Sequence, residues 1–214
     1  MIDAIIFDFD GVILDSVAVK TRAFASLVAE HGPDAVERIV AHHEAYGGIS
    51  RFHKFAWFYR EVLGREASEA ELNDLGKRFE NLVFEEIVAA PEIDGALKFI
   101  QKNHTRYEMF IASGTPQEEL RAIVDHRNLT ALFKEVCGSP TSKIEITEYL
   151  LKKYNLSRTE TAFVGDAMTD YDAAQECGLP FIGIVTDTHA PFPPDTITLP
   201  SLLNLDEALH CLSR

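Results

Sequence analysis

Positive charge is scarce in this chain. Twenty lysines and arginines face thirty-four aspartates and glutamates, a formal charge of −14, and that balance argues against nucleic acid or an anionic membrane as a partner. It also repels free anions, so any anion site needs a metal or local cations. Cysteine is scarce as well. Cys137, Cys177 and Cys211 lie far apart and are odd in number, without the paired spacing of a metal site; they read as reduced thiols packed as small hydrophobes. No apolar run approaches the roughly 20 residues of a membrane span. The start carries no basic n-region, so a cytoplasmic protein is expected. Repeats and low-complexity segments are missing too, although Pro191, Pro193 and Pro194 mark an irregular loop. The 214 residues are enough for one large domain, or for a core carrying an inserted one.

What is present starts near the N-terminus, in Ala4-Ile5-Ile6-Phe7-Asp8-Phe9-Asp10-Gly11. An apolar run ends in two carboxylates one residue apart, and a glycine lets the backbone turn. The pattern reads as a buried parallel strand delivering acids to its C-terminal end, where ligands bind in open α/β sheets. Taken alone, the same residues also make an ordinary solvated Asp-Gly turn.

From Ser16 onward the period changes to that of helices. Phe24, Leu27, Val28 and His31 form one stripe, and Val36, Ile39, Val40 and His43 a second. Phe52, Phe55, Ala56, Tyr59, Val62 and Leu63 form a third, followed by Leu72, Leu75, Phe79, Leu82 and Val83, with Ser68 and Glu71 as a capping box. Breaks fall at Gly32-Pro33, Gly47-Gly48 and Gly64. Four amphipathic helices between two strands predict an inserted bundle over residues 16–90, dividing a core of residues 1–15 and 91–214. Beyond Pro91, helices over 95–103, 117–126, 142–154 and 202–212 alternate with apolar strands over 107–112, 133–137, 161–164 and 181–185. This alternation predicts a parallel sheet with helices on both faces.

Three further strand ends carry polar groups. Ser113-Gly114-Thr115 leads toward a helix, where a hydroxyl and free N–H groups suit an anion, or where Ser113 or Thr115 simply caps that helix. Lys143 falls in the first turn of its helix, against the macrodipole. Gly165-Asp166-Ala167-Met168-Thr169-Asp170 adds two carboxylates past a strand, with Asp172 nearby; helix capping accounts equally for some of these acids.

Together Asp8-Phe9-Asp10-Gly11-Val12, Ser113, Lys143 and Gly165-Asp166-x-x-x-Asp170 resemble the four dispersed motifs of the haloacid dehalogenase (HAD) superfamily. The insert resembles the helical cap of its phosphoglycolate phosphatase and β-phosphoglucomutase branch. The resemblance implies a Rossmann-like parallel sheet of order 3-2-1-4-5 flanked by helices, a four-helix cap domain, and action on a small phosphorylated metabolite. It implies Asp8 as nucleophile and Asp10 as general acid and base, with Ser113, Gly114 and Lys143 holding the phosphate. Mg²⁺ is the implied cofactor, its ligands being Asp8, the Asp10 backbone carbonyl and Asp166, with Asp170 binding directly or through water. Phosphoryl transfer calls for this combination of in-line placement and charge neutralisation.

Substrate choice is expected from the cap. Arg51 and His53 follow the Gly47-Gly48 turn, and Arg51 reads either as an exposed fork for a second anionic group or the transferring phosphate, or as a solvated first-turn charge; Lys20 is a candidate lining residue. Gly48-Ile49-Ser50-Arg51 resembles the β-phosphoglucomutase cap loop, but Lys20 stands where those mutases carry a histidine. Phosphonatases use a cap lysine, and the loop offers none before Lys54. Asp10 distinguishes the chain from dehalogenases, which lack that acid. His42 and His43 read as one packed and one exposed residue. The aromatic cluster from Phe52 to Tyr59 reads as cap core plus a dimer or cap–core contact, in a monomer or homodimer. The reading is a Mg²⁺-dependent phosphatase, with a phosphosugar mutase or a catalytically silent metabolite-binding protein as alternatives.

Overall fold

The computed structural model describes residues 1–186 and 191–212. Its strands are β1 (Ala4–Phe7), β2 (Glu108–Pro116), β3 (Glu135–Ser139), β4 (Thr161–Gly165), β5 (Phe181–Ile184) and β6 (Thr198–Leu199), all paired in parallel in the order β3-β2-β1-β4-β5-β6. The expected order is present, with β6 added at one edge. β6 escapes sequence reading because two residues carry no period.

Register explains why this sheet can build a site. Phe7 lies opposite Ile111 on β2 and Val164 on β4, so Asp8, Ser113 and Asp166 emerge together at the carboxyl edge. β1 alternates its side chains between two faces. Ile5 and Phe7 join Phe99, Ile100, Ile123 and Leu205 on one, under α5 (Ala96–Asn103), α6 (Gln117–His126) and α9 (Leu205–Cys211). Ala4 and Ile6 join Ile146, Leu150, Ala173 and Ala174 on the other, under α7 (Lys143–Lys153) and α8 (Met168–Glu176).

Between β1 and β2 run α1 (Val17–Val28), α2 (Pro33–Ala45), α3 (Arg51–Glu61) and α4 (Glu69–Ala89). Phe24, Ile39, Phe55, Phe58 and Phe79 pack there, Phe24 lying 4.6 Å from Phe79 and 5.4 Å from Phe55 between ring centroids. The Ser68–Glu71 capping box is formed, as is a second one between Ser142 and Glu145.

Several expectations need correction. β2 continues through Pro116, so α6 begins only at Gln117 with Pro116 as its N-cap; neither Ser113 nor Thr115 caps it. Leu82 and His31 face solvent, α1 having ended at Val28. The closing helix is split into a 3-10 turn, Leu202–Asn204, and α9. Cys211 is exposed, whereas Cys137 and Cys177 are buried. The largest difference is in α3, whose buried face is Arg51, Lys54, Phe55 and Phe58. That is an i, i+3, i+4, i+7 stripe containing two cations, which an apolar count cannot register. Among the described residues no helix is long and apolar enough to cross a membrane.

Candidate active site

The two aspartates of the first strand end occupy different surroundings. Asp8 is buried, accepts a hydrogen bond from the Phe9 N–H at 2.7 Å, and pairs with the Lys143 ammonium at 2.9 Å. Gly11 then turns the chain at φ +79°, and a Cβ there would lie 2.1 Å from Asp166 Oδ2. Only glycine both adopts this conformation and leaves room for the second acid. Asp10 accepts from Ser16 Oγ at 2.6 Å and Thr115 Oγ1 at 3.0 Å, and pairs with Lys20, which also donates to Thr115 Oγ1 at 2.8 Å. Burial raises the Asp10 carboxyl, but Lys20 and these hydrogen bonds outweigh it and hold the group below its ordinary range.

Lys143 explains its unusual place in a first helical turn. Its Nζ bridges Asp8 at 2.9 Å and Asp170 Oδ1 at 2.5 Å. Burial opposes its charge, yet Asp170 and Asp8 prevail and raise the ammonium above its usual range. Asp170 is 0% exposed and accepts the Ala167 N–H with its other oxygen at 3.1 Å. Burial and the neighbouring Asp8 push it up against the opposing pull of Lys143. Burial, Asp8 and Asp170 likewise raise Asp166.

One carboxylate oxygen from each of Asp8, Asp166 and Asp170 lies within 4.8 Å of the others. Three convergent oxygen donors, two of them raised by burial and by their acidic neighbours, fit a hard divalent cation. Both oxygens of Asp8 and both of Asp170 already accept from protein groups, so Asp166 offers the freest donor.

The insert's loop rests directly on these groups. Gly48 adopts φ +78°, and a Cβ there would lie 2.1 Å from Thr169 Oγ1 and 2.8 Å from Lys143 Nζ. Thr169 Oγ1 donates to the Gly47 carbonyl at 2.9 Å. Ser113, Gly114, Lys20, Asp8, Asp10 and Asp166 line the cavity beneath, with Thr115 as a contributor that sequence reading assigned only to capping, whereas Lys143 lines a neighbouring depression and Asp170 lines neither.

The cap residues are arranged differently from expectation. Arg51 is 5% exposed and pairs with buried Glu119 at 2.6 Å while its guanidinium lies 4.3 Å from the Phe79 centroid. It links α3 to α6 and is not an exposed fork. His53 is exposed and lines a neighbouring depression without reaching the acid cluster. His42 is half-buried and stacks on Trp57 at 3.8 Å, so neither histidine is the exposed one. His43 and Lys54 are both buried and line the cavity, Lys54 Nζ donating to His43 Nδ1 at 2.7 Å. Neither was expected in the site; a lysine three residues after Arg51 on an aromatic helix face was the available signal.

Residues 5–184 match the haloacid dehalogenase-like hydrolase family. A phosphoglycolate phosphatase of Aliivibrio fischeri is 25% identical over 186 residues, covering 83% of this chain and 81% of the relative. Among solved structures, β-phosphoglucomutase from Clostridium difficile superposes with a TM-score of 0.81 at 18% identity, covering 100% of this chain and 98% of that one. The HAD-hydrolase YfnB of Bacillus subtilis, bound to magnesium, superposes at 0.72 with 19% identity, covering 100% and 99%. These two share its fold.

Proposed function

We propose that this chain, which belongs to the haloacid dehalogenase-like hydrolase family, hydrolyses a small phosphorylated metabolite through an aspartyl-phosphate formed on Asp8. It is a phosphoric monoester hydrolase; the covalent route, the cofactor and the residue roles are our reading. The observation that carries it is Lys143 held between Asp8 and Asp170, where Asp8, Asp166 and Asp170 converge. We take residues 16–90 as a cap over a core of 1–15 and 91–214, acting as a single chain or a pair.

In this reading Lys143 and the Phe9 N–H fix the Asp8 carboxylate, while Lys143 and Ser113 receive the phosphoryl oxygens. An Asp8 oxygen attacks phosphorus, the bond to the ester oxygen breaks, and the departing alcohol takes a proton from Asp10. Water then attacks the same phosphorus, Asp10 takes its proton, and the Asp8–phosphorus link breaks to release phosphate. In the free protein Lys20, Ser16 and Thr115 keep Asp10 ionised, which suits the second step. A phosphate dianion arriving beside it opposes that charge and favours the protonated form the first step needs. Mg²⁺, held by Asp8, Asp166 and the Asp10 carbonyl with Asp170 behind them, would neutralise charge on the transferring group.

Phosphate release from a panel of phosphorylated metabolites, with and without Mg²⁺, tests the assignment. Metal-dependent release from at least one member is expected; no release from any overturns it. A phosphosugar mutase would use the same residues but return the phosphoryl group. Isomerised sugar phosphate in large excess over free phosphate would establish that alternative.

A further inference from the structure

Each cation around the cavity can be matched to an anion, with one exception. Lys20 pairs with Asp10, Lys143 with Asp8 and Asp170, and Arg51 with Glu119. Lys54 pairs with no carboxylate among the described residues. It is 2% exposed; its donors reach His43 Nδ1 at 2.7 Å and the His43 carbonyl at 3.4 Å, and its Nζ lies 5.5 Å from the Phe24 ring centroid. Glu44 also lines the cavity, but it is exposed and makes no ion pair with Lys54. The ammonium donating to Nδ1 leaves the His43 ring proton on Nε2, and that buried atom has no partner either. Burial holds Lys54 down to about 7, helped by Lys20 and Lys143 and opposed by Asp10 and Asp166. A buried cation without its counter-charge is costly, and one kept at a cavity wall is relieved when a ligand supplies the anion.

We infer that Lys54, backed by His43, is the specificity determinant of the cap, and that the substrate is a phosphate monoester whose alcohol portion carries a second anionic group. This rests on the phosphatase reading. The core cations hold the transferring phosphate, while Lys54, on α3 of the insert, meets the far end of the molecule. The role expected of Arg51 passes one helical turn along the same face, because Glu119 already satisfies Arg51.

Matched probes test this by changing only that charge: 2-phosphoglycolate against 2-hydroxyethyl phosphate, and 6-phosphogluconate against sorbitol 6-phosphate. Turnover is followed in the wild-type protein, and binding by calorimetry with Mg²⁺ in the Asp8→Asn background. In at least one pair the acid should be preferred over the alcohol by roughly ten- to a hundred-fold, the loss expected for one charge-assisted hydrogen bond. Lys54→Met should collapse that ratio chiefly through KM, and Lys54→Arg should preserve it. Equal binding of acid and alcohol in both pairs, or a Lys54→Met loss equal for both members, overturns the inference. Should Lys54→Met fail to fold, Lys54→Gln and the wild-type ratio decide. Turnover without preference leaves the phosphatase reading standing and removes Lys54; preference in binding without phosphate release does the reverse.

Discussion

Two lysines are buried around the candidate site, and burial has opposite outcomes for them. Lys143, at the sheet's edge, is raised above its normal range because Asp170 and Asp8 contact it. Lys54, in the helical insert, is lowered to about 7 because burial is reinforced by Lys20 and Lys143 and its direct partner is neutral imidazole. Desolvation penalises both; the counter-charge decides the sign. The sheet therefore supplies a complete set of charges for a group common to all substrates, whereas the insert leaves one charge open.

The severest way to break that comparison is to remove the group at its centre. Asp8→Asn keeps the shape and one acceptor but removes the carboxylate proposed as the nucleophile. Phosphate release should fall by roughly 10⁴- to 10⁶-fold, as when a covalent nucleophile is deleted, with the circular dichroism spectrum unchanged. Hydrolysis at the wild-type rate by the folded variant would falsify the covalent route.

Lys143→Met comes next. It leaves Asp8, Asp166 and Asp170 facing one another without their shared cation, so turnover of every phosphate ester should fall about 10²- to 10³-fold. Stability measured in urea should drop by roughly 3–5 kcal/mol, the cost of stripping one partner from a buried ionic cluster. Millimolar Mg²⁺ should recover part of that stability, since a ligand that binds only the folded state stabilises it. A variant as stable as the wild type in chelator would show that the three acids do not repel as the raised Asp166 and Asp170 carboxyls imply.

Much of the sheet's contribution is legible in the sequence. The strands are short apolar runs ending in Asp, Gly or Ser, and register alone carries Asp8, Ser113 and Asp166 to one edge. Lys143 announces itself by opposing a helix dipole. The insert is legible as helices but not as a site. Its third helix buries Arg51 and Lys54, and whether a cation turns inward depends on partners such as Glu119 and His43 that lie 68 and 11 residues away. A hydrophobic period cannot contain that information. Thr115 was obscured for a related reason: β2 runs on to Pro116, so a residue with the look of a helix cap became a strand-end ligand for Asp10.

Arg51 sharpens the contrast, because it is a buried cation on the same helix as Lys54 whose charge is already met. Arg51→Ala leaves Glu119 buried and unpaired, and a loss of about 3–5 kcal/mol in urea unfolding is expected, with Glu119→Ala similar. The double variant should cost less than the sum of the two, since neither charge is then stranded. Turnover of p-nitrophenyl phosphate and of a charged substrate should decline together, as the guanidinium at the cavity wall is already engaged by Glu119 and joins α3 to α6. Selective loss for the charged substrate would return Arg51 to substrate reading.

The smallest effect concerns His43, the neutral partner that lets Lys54 remain uncompensated. Burial, with Lys54 and Lys20 nearby, lowers the imidazole from 6.5 to about 3. Between those values the unfolded chain binds a proton that the folded protein excludes, so stability rises with pH across the window. The contribution is complete above pH 6.5 and is lost as pH falls toward 3. Asp166 and Asp170 carry the opposite sign, because raised carboxyls bind protons more readily in the folded state; the wild-type pH curve alone therefore mixes the two. His43→Gln isolates the imidazole while retaining an acceptor for Lys54. From pH 6.5 to 5.5 the wild type should lose about 1 kcal/mol more than the variant, the linkage of one proton with that shift. Paired urea titrations at the two pH values measure it, and parallel losses in the two proteins would mean that His43 takes up its proton without unfolding, leaving Lys54 beside an imidazolium that the packing of α2 and α3 does not permit.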